Sequence, residues 1–272
     1  MTFGLKKNID NGYLEGPRIF PSNAFISQTC GHGDTRSGRA EGRITDGIYA
    51  SPALQSKSTV LADGPAEVLK AVREQLFLGA SQIKIMAGGG ISSAYDPIQT
   101  VQFSLEEMKA AVQAAADYGT YVMAHLYTPR SMQRAAKAGV KSFEHATMMD
   151  EETAKIIAAE GIWVTPGPQC GRNWHNELTP DSVRRKSAMV RQGEALATEL
   201  ILKYDLPFLF GTDSFGDPKR IDQFQLEEGS FADLLIVNGN PVQDLDLLAD
   251  RNNIRLIMKD AVVYKNTLGN TP

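Results

Sequence analysis

Short apolar stretches that each follow a helix stop recur along the chain, and they organise its middle part. Gly79, Gly119, Gly139 and Gly161 stand before four of these stretches. The stretches are residues 82–86, 121–124, 140–143 and 162–165, and a fifth, 208–213, follows Asp205 without a glycine. Glycine commonly ends a helix, and short continuous apolar runs are typical of strands buried on both faces. The pattern therefore predicts α/β repeats, a parallel sheet and right-handed crossovers.

Start signals mark the helices between these strands. Ser104 and Glu107 have the spacing of a capping box, Thr128 precedes a proline at the first helical position, and Asp150 can cap the next helix. The predicted helices are 65–78, 104–118, 128–139, 150–161 and 179–203, preceded by a helix tail within residues 1–16. Each helix lies between two predicted strands, as the βαβ unit requires.

The two ends of the chain show other patterns. Residues 18–27 are strand-like and lead into a tight, small-residue turn around His32. Residues 35–63 are polar and glycine-rich without a period, which predicts a long loop. Residues 232–237 and 254–264 alternate like strands, and the pairs 238–239 and 259–260 provide turns. We therefore predict a small β appendage over residues 226–272.

Composition and charge narrow the class of protein. The chain has 272 residues, of which 42% are hydrophobic and 22% charged, as in an ordinary folded domain. A net charge of −4 gives no reason to expect nucleic acid or an anionic membrane as a partner. Two cysteines are too few for a disulfide framework, and the sequence contains no apolar run of membrane-spanning length. We therefore predict a cytoplasmic protein.

Residues suited to metal chemistry stand at the carboxyl ends of the predicted strands. These are Lys84, His125, His145 and Asp213. Sites in parallel α/β proteins form at this edge, and neutral imidazoles suit zinc and related metals. A bound divalent metal activates water, and a neighbouring carboxylate can carry the proton. The pattern predicts hydrolysis of an amide, an ester or a cyclic amide.

Each candidate also has a purely structural interpretation. A strand-end histidine can serve as a hydrogen-bonding group, Lys84 can extend to the rim, and Asp213 can cap a turn. His32 can be a structural loop residue, and His175 lies in a loop without a matching partner. Glu144 should point away from His145, because neighbours in a strand face opposite sides.

Six runs of sequence together resemble one known family. They are residues 9–34, 82–98, 106–129, 138–147, 210–214 and 231–245. They resemble the amidohydrolase superfamily, in the branch that contains imidazolonepropionase-like proteins and Xaa-Pro dipeptidases. The resemblance implies a partial (β/α)8 TIM barrel over residues 1–225 and a remnant of an accessory β-sandwich over residues 226–272.

The resemblance also implies roles for single residues. Lys84 would be carboxylated and would bridge up to two zinc or similar divalent ions. His125 and His145 would bind one of these metals. Asp213 would bind the other metal and shuttle the proton. His32 would polarise the scissile carbonyl, and Tyr127 would contact the carboxylate end of a small-molecule or dipeptide substrate.

The sequence departs from the family pattern in two places. It has no His-x-His pair, and barrel strands 1 and 2 are missing from the pattern, as are helices after strand 8. We therefore predict an N-terminally truncated, internally deleted member whose open sheet edges favour a homo-oligomer. Two alternatives stay open. One is a catalytically degenerate fragment, and the other is a cyclic amide hydrolase of the imidazolonepropionase type, for which Lys84 would have no use.

Overall fold

The structure of the chain is a computed structural model that describes most of the predicted repeats. Described are residues 2–34, 58–93, 96–166, 180–209, 211, 213, 234–238, 252–259 and 262–268. The chain divides into two compact units, Ser22–Gly211 and the combination of Met1–Pro21 with Thr212–Pro272. The predicted boundary at residue 225 lies outside the described residues. Among the described residues, no helix is both long and apolar enough to cross a membrane.

The larger unit is built on six parallel strands. They are β1 (Phe25–Ser27), β2 (Thr59–Leu61), β3 (Ile83–Met86), β4 (Val122–Leu126), β5 (Ser142–His145) and β6 (Trp163–Thr165). Their order across the sheet is β2-β1-β3-β4-β5-β6, and every pairing is parallel. This sheet and its helices confirm the predicted α/β fold. The parallel strands and the helices between them fit a partial barrel.

Among the described residues, five helices belong to this unit and one to the smaller unit. The smaller unit has α1 (Thr2–Asp10), and the larger has α2 (Gly64–Phe77), α3 (Leu105–Asp117), α4 (Pro129–Ala138), α5 (Glu151–Glu160) and α6 (Asp181–Lys203). All of these bounds lie within a few residues of the predicted ones, since the start and stop signals are local.

The capping residues show why the predicted helix boundaries hold. Ser104 and Glu107 form the reciprocal capping box, and the Asp150 side chain accepts from the Thr153 backbone N–H at 2.8 Å. Gly139 and Gly161 end α4 and α5 with φ angles of 95° and 59°. Residues with a Cβ rarely adopt such angles, so glycine at these positions ends the helix at little cost.

Two predictions about the first part of the sheet were wrong in extent. The predicted loop 35–63 contains β2, which pairs in register with Phe25–Ser27. Its three residues, Thr-Val-Leu, are too few for a period to emerge from the polar sequence around them. The predicted strand 18–27 is reduced to the last three residues, β1. In the predicted strand 208–213, Phe208 pairs with Val164, while residues 210 and 212 lie outside the described part.

The central strands separate the residues of the sheet into two faces. We call one the helix face, because its residues share a core with α2–α6; it comprises Ile83, Ile85, Val122, Ala124, Leu126, Phe143 and Val164, all at most 1% exposed. We call the other the open face; it comprises Lys84, Met86, Met123, His125, Ser142, Glu144, Trp163 and Thr165, and several of these are half-exposed. The strand registers align the members of each face from β3 to β6.

The smaller unit contains an antiparallel sheet where a β appendage is predicted. Its strands are β7 (Leu234–Val237), β8 (Ile254–Lys259) and β9 (Val262–Asn266), in that order. Arg255 on β8 donates to the backbone carbonyl of Thr267 at 2.6 Å, which ties the end of β9 to its neighbour.

Candidate active site

Four aromatic rings cluster at the carboxyl end of the parallel sheet. The rings of His32 and His125 are stacked with centroids 4.2 Å apart, and those of Tyr127 and His145 with centroids 4.8 Å apart. His125 joins the two pairs, because its ring meets His145 edge-on at 4.7 Å and Tyr127 at 5.2 Å. We call this group the ring cluster. The structure thus brings together four of the six predicted site residues.

The ends of β4 and β5 bring the ring cluster together. His125 stands next to the last residue of β4, and His145 is the last residue of β5. The strands are paired so that His125 lies opposite Glu144 and Leu126 lies opposite His145. By strand alternation alone, the two histidines would point to opposite faces of the sheet.

A change in backbone geometry brings His145 to the same side as His125. The φ angles of His145 and Ala146 are 72° and 50°, in the left-handed region that residues with a Cβ rarely occupy. The strand geometry therefore ends at His145, and its ring meets His125 and Tyr127. Adjacent left-handed residues at a strand end indicate a functional constraint, because each costs about 1–3 kcal/mol.

His125 is held in its neutral form. Burial lowers its pKa well below the ordinary value, and the electrostatic interactions with His32, His145 and Lys84 lower it further. Its Nε2 lies 3.3 Å from the backbone carbonyl of Gly89, which accepts a hydrogen bond from this nitrogen. A neutral imidazole is the form in which histidine binds metals.

The other two predicted metal ligands, Lys84 and Asp213, are not part of the ring cluster. Lys84 is half-buried on the open face of β3, where it pairs in register with Met123, and its charge acts on His125. An ammonium group has no lone pair to offer a metal, so only a carboxylated Lys84 could serve as a ligand. Asp213 belongs to the smaller unit and is exposed, with a φ of 43°. His175 lies outside the described residues.

A buried polar network next to His32 was not predicted. Nδ1 of His32 lies 2.9 Å from the Ser93 hydroxyl, and the same hydroxyl is hydrogen-bonded to the Asp96 carboxylate. Asp96 also accepts from the Gly90 backbone N–H at 2.8 Å and from the Gln102 amide at 3.3 Å. Asp96 is buried, and although burial raises its pKa, the interactions with His32, Ser93 and Gly90 outweigh burial and lower it.

Lys186 on α6 completes this network. Its ammonium group donates to the backbone carbonyls of Asp96, at 3.0 Å, and of Ser93, and lies 4.0 Å from the Asp96 carboxylate. The sequence carried a signal for this residue, because Lys186 shares a helical face with Val183 and Val190, which are buried. A lysine within an apolar stripe requires a buried partner.

An apolar wall stands beside the ring cluster. It comprises Ile91, Ile98, Tyr127, Val183 and Val190. A close approach of α6 brings this wall to the sheet, since a Cβ at Gly193 would lie 2.3 Å from the carbonyl oxygen of Thr147. Helix α6 therefore contributes two residues of the apolar wall, Val183 and Val190, and also Lys186 to the site.

A cavity of about 430 Å³ lies at the opposite, amino-terminal ends of β4–β6. It is lined by Tyr121, Lys141, Ser142, Gly161, Trp163 and Leu209. None of the predicted site residues lines it. The ring cluster and this cavity therefore lie at opposite ends of the sheet.

The ring cluster contains two residues of a type that binds metals, His125 and His145. In the part of the chain that the structure describes, no three side chains of His, Cys, Asp or Glu are grouped to hold a metal ion. Two neutral imidazoles would satisfy two of the four positions around a zinc-like ion. The histidine pair therefore fits a metal, and further ligands would have to come from a carboxylated Lys84 or from outside the described residues.

Comparison with known proteins shows which family the chain belongs to. Residues 4–224 match the amidohydrolase family. Ochratoxinase from Aspergillus niger is 39% identical over 161 residues, which cover 57% of this chain and 33% of that protein. The chain thus spans about a third of the length of this curated relative.

Solved structures show the same similarity at the level of the fold. An Xaa-Pro dipeptidase with methionine bound in its active site has a TM-score of 0.71 and 30% identity, and the match covers 97% of this chain and 72% of the other. The structure of A. niger ochratoxinase has a TM-score of 0.71 and 26% identity, with coverages of 97% and 70%.

Proposed function

Because the chain belongs to the amidohydrolase family, we propose that it hydrolyses C–N bonds of small molecules, as an Xaa-Pro dipeptidase-like amide hydrolase. The observation that carries this proposal is the ring cluster at the carboxyl end of the sheet. Two relatives are named for activities of this kind, a dipeptidase and an ochratoxinase.

The proposed reaction uses water activated by a divalent metal. His125 and His145 would hold the metal, with Lys84 as a carbamate ligand and Asp213 as a further ligand and proton carrier. The metal, when bound, supplies Lewis-acid polarisation and lowers the pKa of its water. Carboxylation would replace the positive charge of Lys84 by a negative one, and this charge would attract the metal.

The other residues of the site would bind the substrate. His32 stacks on His125 and can hydrogen-bond to the groups around the scissile bond through the nitrogen that does not face Ser93. Tyr127 would contact the carboxylate end of the substrate, and the apolar wall of Ile91, Ile98, Val183 and Val190 would exclude water from its side chain. We propose a small amide or dipeptide with a free carboxylate as the substrate class.

Metal binding and hydrolysis can be tested together on the purified chain. Zinc content and hydrolysis of a panel of Xaa-Pro dipeptides and simple amides are measured for the wild type, His125→Asn and His145→Asn. Each variant should bind zinc more weakly to a similar degree, and the double variant should lose little more, because the two ligands act as a unit.

Glu144→Gln is the matched control. Glu144 precedes His145 on β5, and its carboxylate is bound by the Ser142 hydroxyl at 2.8 Å, so its replacement should leave zinc content unchanged. Additive losses in the two histidine variants, or equal losses in Glu144→Gln, would contradict a shared metal site.

A catalytically degenerate chain is the second candidate. The observation in its favour is that the described residues group no third His, Cys, Asp or Glu with His125 and His145. For this candidate we expect zinc binding through the histidine pair and no turnover of any amide in the panel. Turnover that is abolished by a chelator and restored by zinc would exclude it.

A further inference from the structure

The position of His32 is fixed by an arrangement that the proposed hydrolysis does not itself require. Its backbone N–H donates to the Gln102 side-chain carbonyl at 2.8 Å. A Cβ at Gly90 would lie 1.9 Å from Nδ1 and Cε1 of the His32 ring, so the backbone there confines the ring. With His125 stacked on it, the ring has little freedom to turn.

One ring nitrogen of His32 faces both neighbouring polar side chains. Nδ1 lies 2.9 Å from the Ser93 hydroxyl oxygen and 3.6 Å from the nearer oxygen of Asp96. The first distance is a hydrogen bond, whereas the second is too long for one. Ser93 is therefore the direct partner of the ring, and Asp96 acts on the ring through Ser93.

This arrangement differs from a Ser-His-Asp triad. In a triad, serine and aspartate occupy opposite nitrogens of the imidazole. Here both lie at Nδ1, and the Ser93 hydroxyl is bound to Asp96. Ser93 is thus no nucleophile, and the three residues form a chain of hydrogen bonds that ends at the ring.

The direction of these hydrogen bonds follows from the charge of Asp96. An ionised carboxylate only accepts, so the hydroxyl of Ser93 must donate to it. The serine oxygen then offers the ring only a lone pair, and Nδ1 must carry the proton that it donates. The opposite nitrogen, Nε2, has the lone pair when the ring is neutral.

We propose that Ser93 and Asp96 are positioning residues that hold neutral His32 with its proton on Nδ1, so that Nε2 is presented to the substrate as a hydrogen-bond acceptor. This inference rests on the proposed hydrolysis only for the role of Nε2. It revises the role that the family resemblance implies, since a neutral His32 held in this way cannot donate to the scissile carbonyl.

Lys186 and Gln102 hold Ser93 and Asp96 in place. Lys186 donates to the backbone carbonyls of Ser93 and Asp96 and balances the carboxylate charge. Gln102 binds the backbone of His32 and the carboxylate of Asp96 at the same time. The geometry around Nδ1 is therefore supported from α6 and from Gln102, which lies just before α3.

The tautomer of His32 is the direct test. The full chain is labelled with ring-¹⁵N histidine, and long-range proton–nitrogen correlation spectra are recorded about two pH units above the ordinary histidine pKa of ~6.5. A His32→Gln variant assigns the signals. We expect a protonated Nδ1 and an unprotonated Nε2 for His32, whether or not the chain hydrolyses amides.

Asp96→Asn tests the cause of this tautomer, and Asp63→Asn is its matched control. Asparagine can donate to Ser93 and so removes the constraint on the hydroxyl; we expect His32 to populate both tautomers. Asp63 accepts a hydrogen bond from the backbone N–H of Thr29, in the turn that carries His32, at 3.0 Å. Its replacement should leave the tautomer of His32 unchanged. An Nε2-protonated ring in the wild type overturns the proposal even when Asp96→Asn does not fold, and so does an unchanged tautomer in a folded Asp96→Asn.

Steady-state kinetics separate this role from a structural one. In a chain that hydrolyses an Xaa-Pro dipeptide, Asp96→Asn should lower kcat about tenfold or more with little change in KM. A rise in KM at constant kcat would overturn the positioning role. Absence of turnover in the wild type counts against the proposed function alone, because the tautomer is measured without substrate.

Discussion

The helix face and the open face of the sheet are built from alternate residues of the same strands, yet they obey different constraints. On β3, Ile83 and Ile85 are buried against the helices, while Lys84 between them is half-exposed. On β5, Phe143 is fully buried, whereas its neighbour Glu144 is half-buried and bound by a serine hydroxyl. Packing against the helices therefore restricts one face to apolar residues, whereas the other face can carry polar and charged residues.

The largest expected difference between the faces is in stability. Phe143→Ala removes a fully buried ring from the helix face and should lower the free energy of unfolding by about 3–5 kcal/mol, because it leaves a cavity. Trp163→Ala on the open face removes a larger ring that is 46% exposed and should cost only about 1 kcal/mol. Urea-induced unfolding of both variants measures the difference, and equal losses would abolish the distinction between the faces.

The next effect concerns metal affinity rather than stability. Lys84→Met should leave the free energy of unfolding nearly unchanged and weaken zinc binding about 10–100-fold, since the carbamate ligand is lost. Short carboxylic acids should partly restore binding by replacing the carbamate. Lys141→Met, which replaces an exposed lysine just before β5, should leave zinc binding unaltered. Unchanged zinc content in Lys84→Met would remove this lysine from the proposed site.

The buried imidazole of His125, on the open face, should make the free energy of unfolding depend on pH. Burial, followed by the electrostatic interactions with His32, His145 and Lys84, lowers the pKa of His125 well below 6.5. The unfolded chain therefore takes up a proton as the pH falls through 6.5, while the folded chain does not. Stability should decrease below that pH by at most about 1.4 kcal/mol per pH unit for this residue. His125→Asn should flatten the profile there, and an identical slope in the variant would contradict this assignment.

The smallest effect lies outside both faces, between α5 and the end of α6. The hydroxyl of Tyr204 and the ammonium groups of Lys203 and Lys155 lower the pKa of Glu151 to about 2. The lowered pKa gives stability that is present above pH 4.5 and lost as the pH falls towards 2. Glu151→Gln should therefore cause a small loss at neutral pH and none near pH 2, as thermal unfolding would detect. Solvent and salt screen this exposed group, so 1 M salt should reduce the loss.

Local signals in the sequence were sufficient for the helices of the larger unit. Ser104, Asp150, Gly139 and Gly161 mark helix ends through hydrogen bonds and φ angles that involve only neighbouring residues. Strand β2 was missed because its pairing with β1 crosses more than thirty residues of sequence and leaves no local period. Such long-range pairing is decided by tertiary structure.

The site was predictable where the topology decides it. His125 and His145 end neighbouring parallel strands, and such ends meet at one edge of a sheet. Asp96 gave no signal, because its contact with His32 joins two turns far apart in sequence. Strand alternation, which predicts that Glu144 and His145 point to opposite sides, does not locate the His145 ring, because it assumes strand geometry up to the last residue.

The left-handed backbone at His145 and Ala146 has a consequence for the evolution of the chain. The two residues lie in a costly conformation, and the packed strands around them maintain it. A glycine at position 146 would adopt the same φ with less strain, so selection for heat resistance alone should favour Ala146→Gly. The same change would give the backbone more freedom at the point where the His145 ring turns towards His125 and Tyr127. Selection for heat resistance alone would therefore act against the geometry of this strand end.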